Sequence, residues 1–262
     1  MTANTDPSSG APPALSDAAA LFLDFDGTLA PIAARPQDVQ VPLWVRPTLR
    51  ALAECLGGAL AIVSGRPIAQ LDEFLAPLQL IAAGAHGAEW RDAQGTVHQV
   101  AAAPPRRVVR QAQALAARHA GLIFEPKPSG LSLHYRARPE LETECRDTLA
   151  AALAAVPGAS AEWEWLHGQF VYELKQRAVC KGSAVQTLMR EPLFAGRQPV
   201  FVGDDRTDED GIAAVQAAGG FGVRVGGGVT RARYRLADPA SVGAWLRTAL
   251  EPATESQENR AA

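Results

Sequence analysis

Two carboxylates, Asp24 and Asp26, stand one residue apart at the end of a short apolar run, Leu21-Phe22-Leu23, and Gly27 and Thr28 follow at once. Two acids in a turn are usually solvated, so the spacing alone says little. An apolar strand that stops at Asp-Phe-Asp-Gly-Thr says more, because a strand of an open parallel sheet delivers its terminal residues to the crevice where ligands bind. A second acidic group, Asp204, Asp205, Asp208, Glu209 and Asp210, packs five acids into seven residues after another apolar run. Like charges that close repel unless something cationic is bound. Hard oxygen donors beside an anionic substrate point to Mg²⁺, which bridges carboxylates to phosphate. Glu209 and Asp210 read instead as the start of a helix, where the dipole favours them.

Two further stretches complete the chemistry. Lys181, in Cys-Lys-Gly-Ser, opens a helical pattern, where the positive end of the dipole disfavours a cation. A phosphoryl group and nearby aspartates would account for it, since an ammonium neutralises charge developing on transferring oxygens. Ser64 and Gly65, in Ser-Gly-Arg-Pro, offer a hydroxyl and free backbone N–H groups that could cradle phosphate oxygens, although such a serine also suits a helix N-cap.

The elements that must position these residues follow from periodicity. Leu21–Leu23, Leu60–Val63 and Pro199–Val202 are short apolar runs ending in Asp-x-Asp, Ser-Gly-Arg and Gly-Asp-Asp, with helical segments between them. That pattern predicts a parallel α/β sheet with its site at the strand ends. Helices are expected from Pro47 to Gly57, from Lys181 to Leu193, from Gly211 to Ala218 and from Ser241 to Leu250, with a strand over Phe221–Val225. Between the second and third motifs the order becomes helix over Arg106–His119, two strands, helix from Pro139, two strands. This is an antiparallel α+β module inserted into the core, where it would form a lid. Trp163 and Trp165, alternating with glutamates, fit the packed face of a strand.

Bulk properties limit the partners. At 262 residues, 47% hydrophobic and 20% charged, the chain has the composition of an ordinary globular protein. A net charge of −3 gives no reason to expect nucleic acid or an anionic membrane surface as partner. Cys55, Cys145 and Cys180 lack metal-type spacing and suggest reduced thiols in a cytoplasmic protein. The first seventeen residues carry no Lys or Arg before an apolar stretch, so no secretory signal is expected, and no run reaches the length of a membrane span.

Asp24, Asp26, Ser64, Lys181, Asp204 and Asp205 together resemble, in order, the four motifs of the haloacid dehalogenase-like (HAD) phosphohydrolases. The resemblance implies a Rossmann-like parallel core with a cap, Asp24 as nucleophile and Asp26 as general acid/base. It also implies Mg²⁺ held by Asp24, the Asp26 backbone carbonyl and Asp204, with Asp205 and Asp208 in support. The insert is similar to that of trehalose-6-phosphate phosphatases, with a cap of the C2B type. The elements that carry this likeness are Glu125-Pro126-Lys127, His134-Tyr135-Arg136, Tyr172-Glu173-Leu174-Lys175 and, in the core, Gly84-Ala85-His86-Gly87-Ala88-Glu89. The likeness implies that Glu125, Lys127 and Glu173 contact sugar hydroxyls and that Arg136 reaches the phosphate. Gly65, Arg66 and His86 are expected at the substrate, although His86 also suits a tight turn. The chain departs from the pattern at Gln176, where proline is expected, and at Cys180, where asparagine is common.

The domains expected are a disordered segment over 1–17, a discontinuous HAD-like core over 18–103 and 176–250, a cap over 104–175 and a flexible tail over 251–262. The expected reaction is Mg²⁺-dependent hydrolysis of trehalose 6-phosphate, a small-molecule sugar phosphate, by a protein for which a monomer is favoured. The alternatives are another sugar phosphate, such as sucrose phosphate or mannosylglycerate phosphate, or a noncatalytic carbohydrate-binding module on the same fold.

Overall fold

The run Ala19–Leu23 is too short for a stable helix and is buried along its whole length, and it forms β1 at the centre of the main sheet. The computed structural model describes residues 10–33, 35–100, 102–127 and 130–251. After β1 come α1 (Val45–Cys55), β2 (Leu60–Val63), α2 (Ile68–Leu75), β3 (Ile81–Gly84) and a hairpin of β4 (Glu89–Arg91) and β5 (Val97–Gln99). The chain then builds a second unit from α3 (Arg106–Arg118), β6 (Ile123–Lys127), β7 (Gly130–His134), α4 (Glu142–Ala154), the single turn α5 (Ala159–Glu162), β8 (Trp163–Gly168) and β9 (Val171–Gln176). It returns to the first with α6 (Lys181–Leu188), β10 (Gln198–Gly203), α7 (Asp208–Ala217), β11 (Phe221–Val225), β12 (Tyr234–Leu236) and α8 (Pro239–Thr248).

The main sheet has the order β12-β11-β10-β1-β2-β3-β4-β5, parallel except for the β4–β5 hairpin. From β1 the chain winds outward through β2 and β3, and later outward from β10 through β11 and β12. The order therefore reverses between β1 and β10, the position at which open α/β sheets bind ligands. Leu23 pairs with Val202, so the residues that follow this pair, from Asp24 and from Gly203, emerge side by side.

The second sheet, β6-β7-β9-β8, is wholly antiparallel. Leu131, Leu133, Tyr172, Leu174 and Trp163 point from one face onto Val108, Ala112 and Leu115 of α3 and Cys145 and Leu149 of α4, a core separate from that of the main sheet. Trp165 packs against this same core. The alternate residues face the main sheet.

Several expected boundaries shift for local reasons. α1 starts at Val45, because Pro47 in the first turn gives up no hydrogen bond that the helix could have made. From Pro139 the chain makes a 3-10 turn before α4 proper begins at Glu142. α6 ends at Leu188 rather than Leu193, since Glu191 precedes Pro192 and is disfavoured in helical geometry. α7 starts at Asp208 rather than Gly211 because the Asp205 carboxylate accepts the N–H groups of Thr207 and Asp208. α8 starts at Pro239, capped by Asp238. Of the segment 1–17 expected to be disordered, residues 1–9 lie outside the described residues, whereas Gly10 bridges to Tyr234 and the Pro13 carbonyl accepts from the Trp245 indole. The expected flexible tail lies outside the described residues beyond 251.

Candidate active site

Asp24 follows β1 directly and is buried, its backbone N–H donating to the Val202 carbonyl of β10 at 2.9 Å. Lys181, the first residue of α6 and only 3% exposed, donates from Nζ to Asp24 Oδ1 at 2.7 Å and to Asp208 Oδ1 at 2.6 Å. Asp208, wholly buried, uses Oδ2 to accept the backbone N–H groups of Asp204 and Asp205, each at 3.0 Å. Cys180 and Ser183 cap α6 reciprocally, which fixes the turn that carries Lys181. The cation at a helix N-terminus is thus held by two carboxylates, one at the end of β1 and one at the start of α7.

Asp24, Asp204 and Asp208 each offer an oxygen within 4.8 Å of the others. Three carboxylates (−3) and one ammonium (+1) leave a net charge of −2, the charge that one divalent cation cancels. The donor set, all hard oxygen, fits Mg²⁺ in kind. Lacking such a cation, the carboxyls hold protons more tightly. Burial outweighs Lys181 and lifts Asp24 to about 6, and burial with Asp208 and Asp205 lifts Asp204 to about 6. Burial and the Asp24 charge also raise Asp208. Burial opposes charge on Lys181 as well, but its two carboxylates win and raise it. Asp205 would be raised by burial, yet Lys181 and the hydrogen bonds with Asp208 and Thr207 hold it low. Its carboxylate is turned into the start of α7 and stands outside the three-oxygen group, so any support it gives is exerted through that turn.

Asp26 faces Arg66, which donates from Nε to Oδ2 at 2.6 Å and from the second terminal nitrogen to Oδ1 at 2.7 Å. The guanidinium also donates to Gln70 and lies 4.8 Å from the Phe74 ring centroid. Arg66 was expected at the substrate, but its fork is filled by Asp26 and Gln70, and it is buried beside the cavity rather than lining it. Gly27 has φ +80°, and a Cβ there would overlap the Asp204 carboxylate, so glycine lets the two strand ends close on each other.

Ser64 is buried after β2, its Oγ accepting from the Arg66 N–H. α2 takes its cap from elsewhere, since Glu89 accepts the Ile68 N–H at 2.7 Å. Ala85, His86 and Gly87 have φ of 48°, 59° and 101°. For the first two this left-handed geometry is strained, and it is held by Ala85 N–H to the Arg66 carbonyl and His86 N–H to that of Ser64. The turn presses the His86 imidazole onto Gly65, where a side chain would collide with it. Burial, then the Lys181 charge, lower the His86 pKa, so the ring is neutral near neutral pH.

A cavity of about 990 Å³ separates this cluster from the open face of the second sheet. Gly65, His86 and Lys181 line it from one side and Glu125, Lys127 and Glu173 from the other. Lys127 Nζ lies 3.0 Å from Glu173 Oε1, and Glu125 lies 2.9 Å from His134. Arg136 was expected at the phosphate but is exposed in the turn beyond His134. β7 enters at the cavity with Gly130 and runs about 13 Å away from it before that turn begins. Glu164 and Lys175 also line the cavity. The sequence reading passed over them, although the two-residue strand period from Glu173 leads directly to Lys175.

The sequence matches the family described as trehalose-phosphatase across residues 22–239. It is 38% identical over 249 residues to the trehalose-6-phosphate phosphatase of Escherichia coli K12, covering 94% of this chain and 92% of that one. It is also 38% identical over 208 residues to a probable trehalose-phosphate phosphatase of Sinorhizobium fredii, covering 79% and 77%. Among solved structures, a trehalose-6-phosphate phosphatase of Aspergillus fumigatus superposes with a TM-score of 0.68 at 28% identity, over 92% of this chain and 98% of that one. A HAD-superfamily phosphatase of Bacteroides thetaiotaomicron, 15% identical, shares the fold at a TM-score of 0.62. With a parallel α/β core, an antiparallel cap sheet and this extent of likeness, the chain belongs to the trehalose-phosphatase family of phosphoric monoester hydrolases, on the HAD fold.

Proposed function

We propose that the chain hydrolyses trehalose 6-phosphate to trehalose and phosphate with Mg²⁺ as cofactor. The observation that carries this reading is a facing arrangement across one cavity: Lys181 below, bonded to Asp24 and Asp208 behind it, and Glu125, Lys127 and Glu173 above. The lower surface suits a phosphoryl group and the upper one a polyol. Residues 18–103 with 176–250 act as the core, and 104–175 as the cap.

Asp24 is the nucleophile. Lys181 fixes its Oδ1, and attack in line on phosphorus forms an aspartyl-phosphate while the sugar alkoxide departs. Asp26, turned from Arg66 and having taken a proton from solvent, gives that proton to the alkoxide and then takes one from the water that hydrolyses the acyl phosphate. Lys181 and the Gly65 N–H bear on the phosphoryl oxygens, the Ser64 N–H being taken by the Ala83 carbonyl. Asp24, Asp204 and the Asp26 carbonyl would hold Mg²⁺, with Asp208 and Asp205 supporting through the bonds described above. Bound there, it supplies positive charge that offsets the approach of two anions.

Phosphate release across a panel of sugar phosphates, with and without Mg²⁺, tests the reading. Trehalose 6-phosphate is expected to be turned over fastest, and only with the cation. Glu125→Ala and Glu173→Ala are expected to lower its kcat/KM about tenfold or more, and that of p-nitrophenyl phosphate far less. Preference for a different sugar phosphate would overturn the substrate, and equal losses on both compounds would overturn the role of the glutamates.

A further inference from the structure

The register of the cap sheet exposes two polar rows, of which one is only half used by the mechanism above. Glu125, Ser132, Glu173 and Leu166 stand opposite one another across β6, β7, β9 and β8. The adjacent row is Lys127, Gly130, Lys175 and Glu164. Lys127 and Lys175 therefore flank a residue without a side chain, and both line the cavity. Lys175 lies at the end of β9 nearest the core. The next residue, Gln176, accepts through Oε1 from the Ala102 N–H at 3.0 Å and so ties one crossing between cap and core to the other.

The two lysines differ in what they leave behind when they turn to a ligand. Lys127 is paired with Glu173, which has no second cation within 4.0 Å among the described residues. Lys175 lies 3.4 Å from Glu164 Oε1, with the two side chains 24% and 27% exposed. The other oxygen of Glu164 lies 3.0 Å from Arg177, which also donates to the Ser160 carbonyl. Lys175 can thus leave Glu164 without stranding a charge, since Arg177 remains. An ammonium with three donors and a replaceable partner is suited to hydroxyl groups.

We propose that Lys175 is a specificity-determining residue, which leaves Glu164 to donate hydrogen bonds to hydroxyl groups of the hexose ring that carries the phosphate. This rests on the sugar-phosphate reading given above and adds a residue to it. Glu164 is the holder that keeps the ammonium ordered before a sugar binds, and Arg177 is its replacement partner.

The test is steady-state kinetics of the full chain with Mg²⁺ on trehalose 6-phosphate, glucose 6-phosphate and p-nitrophenyl phosphate. Lys175→Met is expected to raise KM about tenfold for both sugar phosphates, the usual scale for losing one charged hydrogen bond, with kcat changed less than threefold. The aryl phosphate, which has no hydroxyl groups to contact, should change by less than about threefold. Glu164→Gln frees the ammonium and is expected to lower the sugar-phosphate KM. Lys175→Arg, which keeps the charge, should recover part of the loss, and this checks that a fold defect in Lys175→Met is not the cause. Equal losses on the aryl phosphate, or a Glu164→Gln variant that raises KM as Lys175→Met does, would overturn the proposal. If the wild-type chain prefers another sugar phosphate, the substrate reading fails; a KM defect of Lys175→Met on that compound would still uphold Lys175.

Discussion

At Asp24 two requirements meet that pull in opposite directions. The nucleophile proposed at this position must be ionised, yet burial raises its pKa to about 6, against the attraction of Lys181. The conflict is tolerable because Lys181 gives the pair a fixed geometry and because the deficit of positive charge leaves room for a cation. Asp24→Asn keeps the shape, removes the nucleophile and reduces the excess negative charge. Turnover is expected to fall by about 10³-fold or more, while the midpoint of thermal unfolding without added metal stays the same or rises. Near-normal turnover by a folded variant would remove the covalent mechanism, and a large drop in the midpoint would mean that Asp24 supports the fold more than it strains it. The Asp26–Arg66 fork presents the complementary case, a carboxylate proposed for proton transfer that a bidentate partner holds.

At the scale of elements, the start of α6 decides where Lys181 sits. Its N-cap is Cys180, whose sulfur accepts from the Ser183 N–H at 3.5 Å. A thiol is a weak acceptor, whereas asparagine ranks among the best N-caps. Cys180→Asn is expected to stabilise the protein by about 0.5–1 kcal/mol, seen as a midpoint of denaturant unfolding shifted upward at unchanged slope. A downward shift would show that the sulfur's packing at the cavity wall outweighs its capping. The same element shows what the sequence makes legible. Lys181 announces itself as a cation where the helix dipole disfavours one, and Asp24, Ser64 and Asp204 follow apolar runs too short to be anything but buried strands. Those signals are local. The rows of the cap sheet are not, because Lys175 faces Glu164 only once β8 and β9 have found their register, and no single strand states which of its two faces looks into the cavity. Arg66 and Arg136 stand off the cavity for related reasons. Each sits beside a motif that does carry chemistry, but the fork of Arg66 is filled by Asp26, and the direction of β7 carries Arg136 away from the site. β3, β4, β5 and β12 are short enough that their strand character comes from neighbouring strands rather than from their own residues.

Over the whole molecule, the cap and the main sheet hold separate hydrophobic cores, and the charged cluster lies where the main sheet changes direction. Folding therefore gathers carboxylates in excess of Lys181, a charge that either protons or a bound cation can balance, and stability, metal binding and pH become linked. Asp24 and Asp204 have folded-state pKa values of about 6, above the ordinary 3.8. The folded form thus binds more protons than the unfolded form between about pH 4 and 6, so the part of stability due to these groups is full below about 4 and is lost as pH rises through about 6. Asp205 is lowered and acts in the opposite sense below about pH 4, and the raised Lys181 loses its contribution only at alkaline pH, so neither intrudes on this window. Mg²⁺ needs the ionised carboxylates, and its stabilisation must follow the reverse course. The expected outcome is an upward shift of the unfolding midpoint by several degrees on adding millimolar Mg²⁺ at pH 7.5, shrinking nearly to nothing at pH 5, where each of the two carboxyls costs about tenfold in apparent affinity. Thermal unfolding at both pH values, with and without the cation, checks this, and the difference between the two curves isolates the site from every other titrating group. An equal shift at both pH values would mean that the cation binds elsewhere or that the carboxyls remain ionised without it. Asp204→Asn should remove about half of the pH dependence of that difference, because it takes away one of the two competing protons.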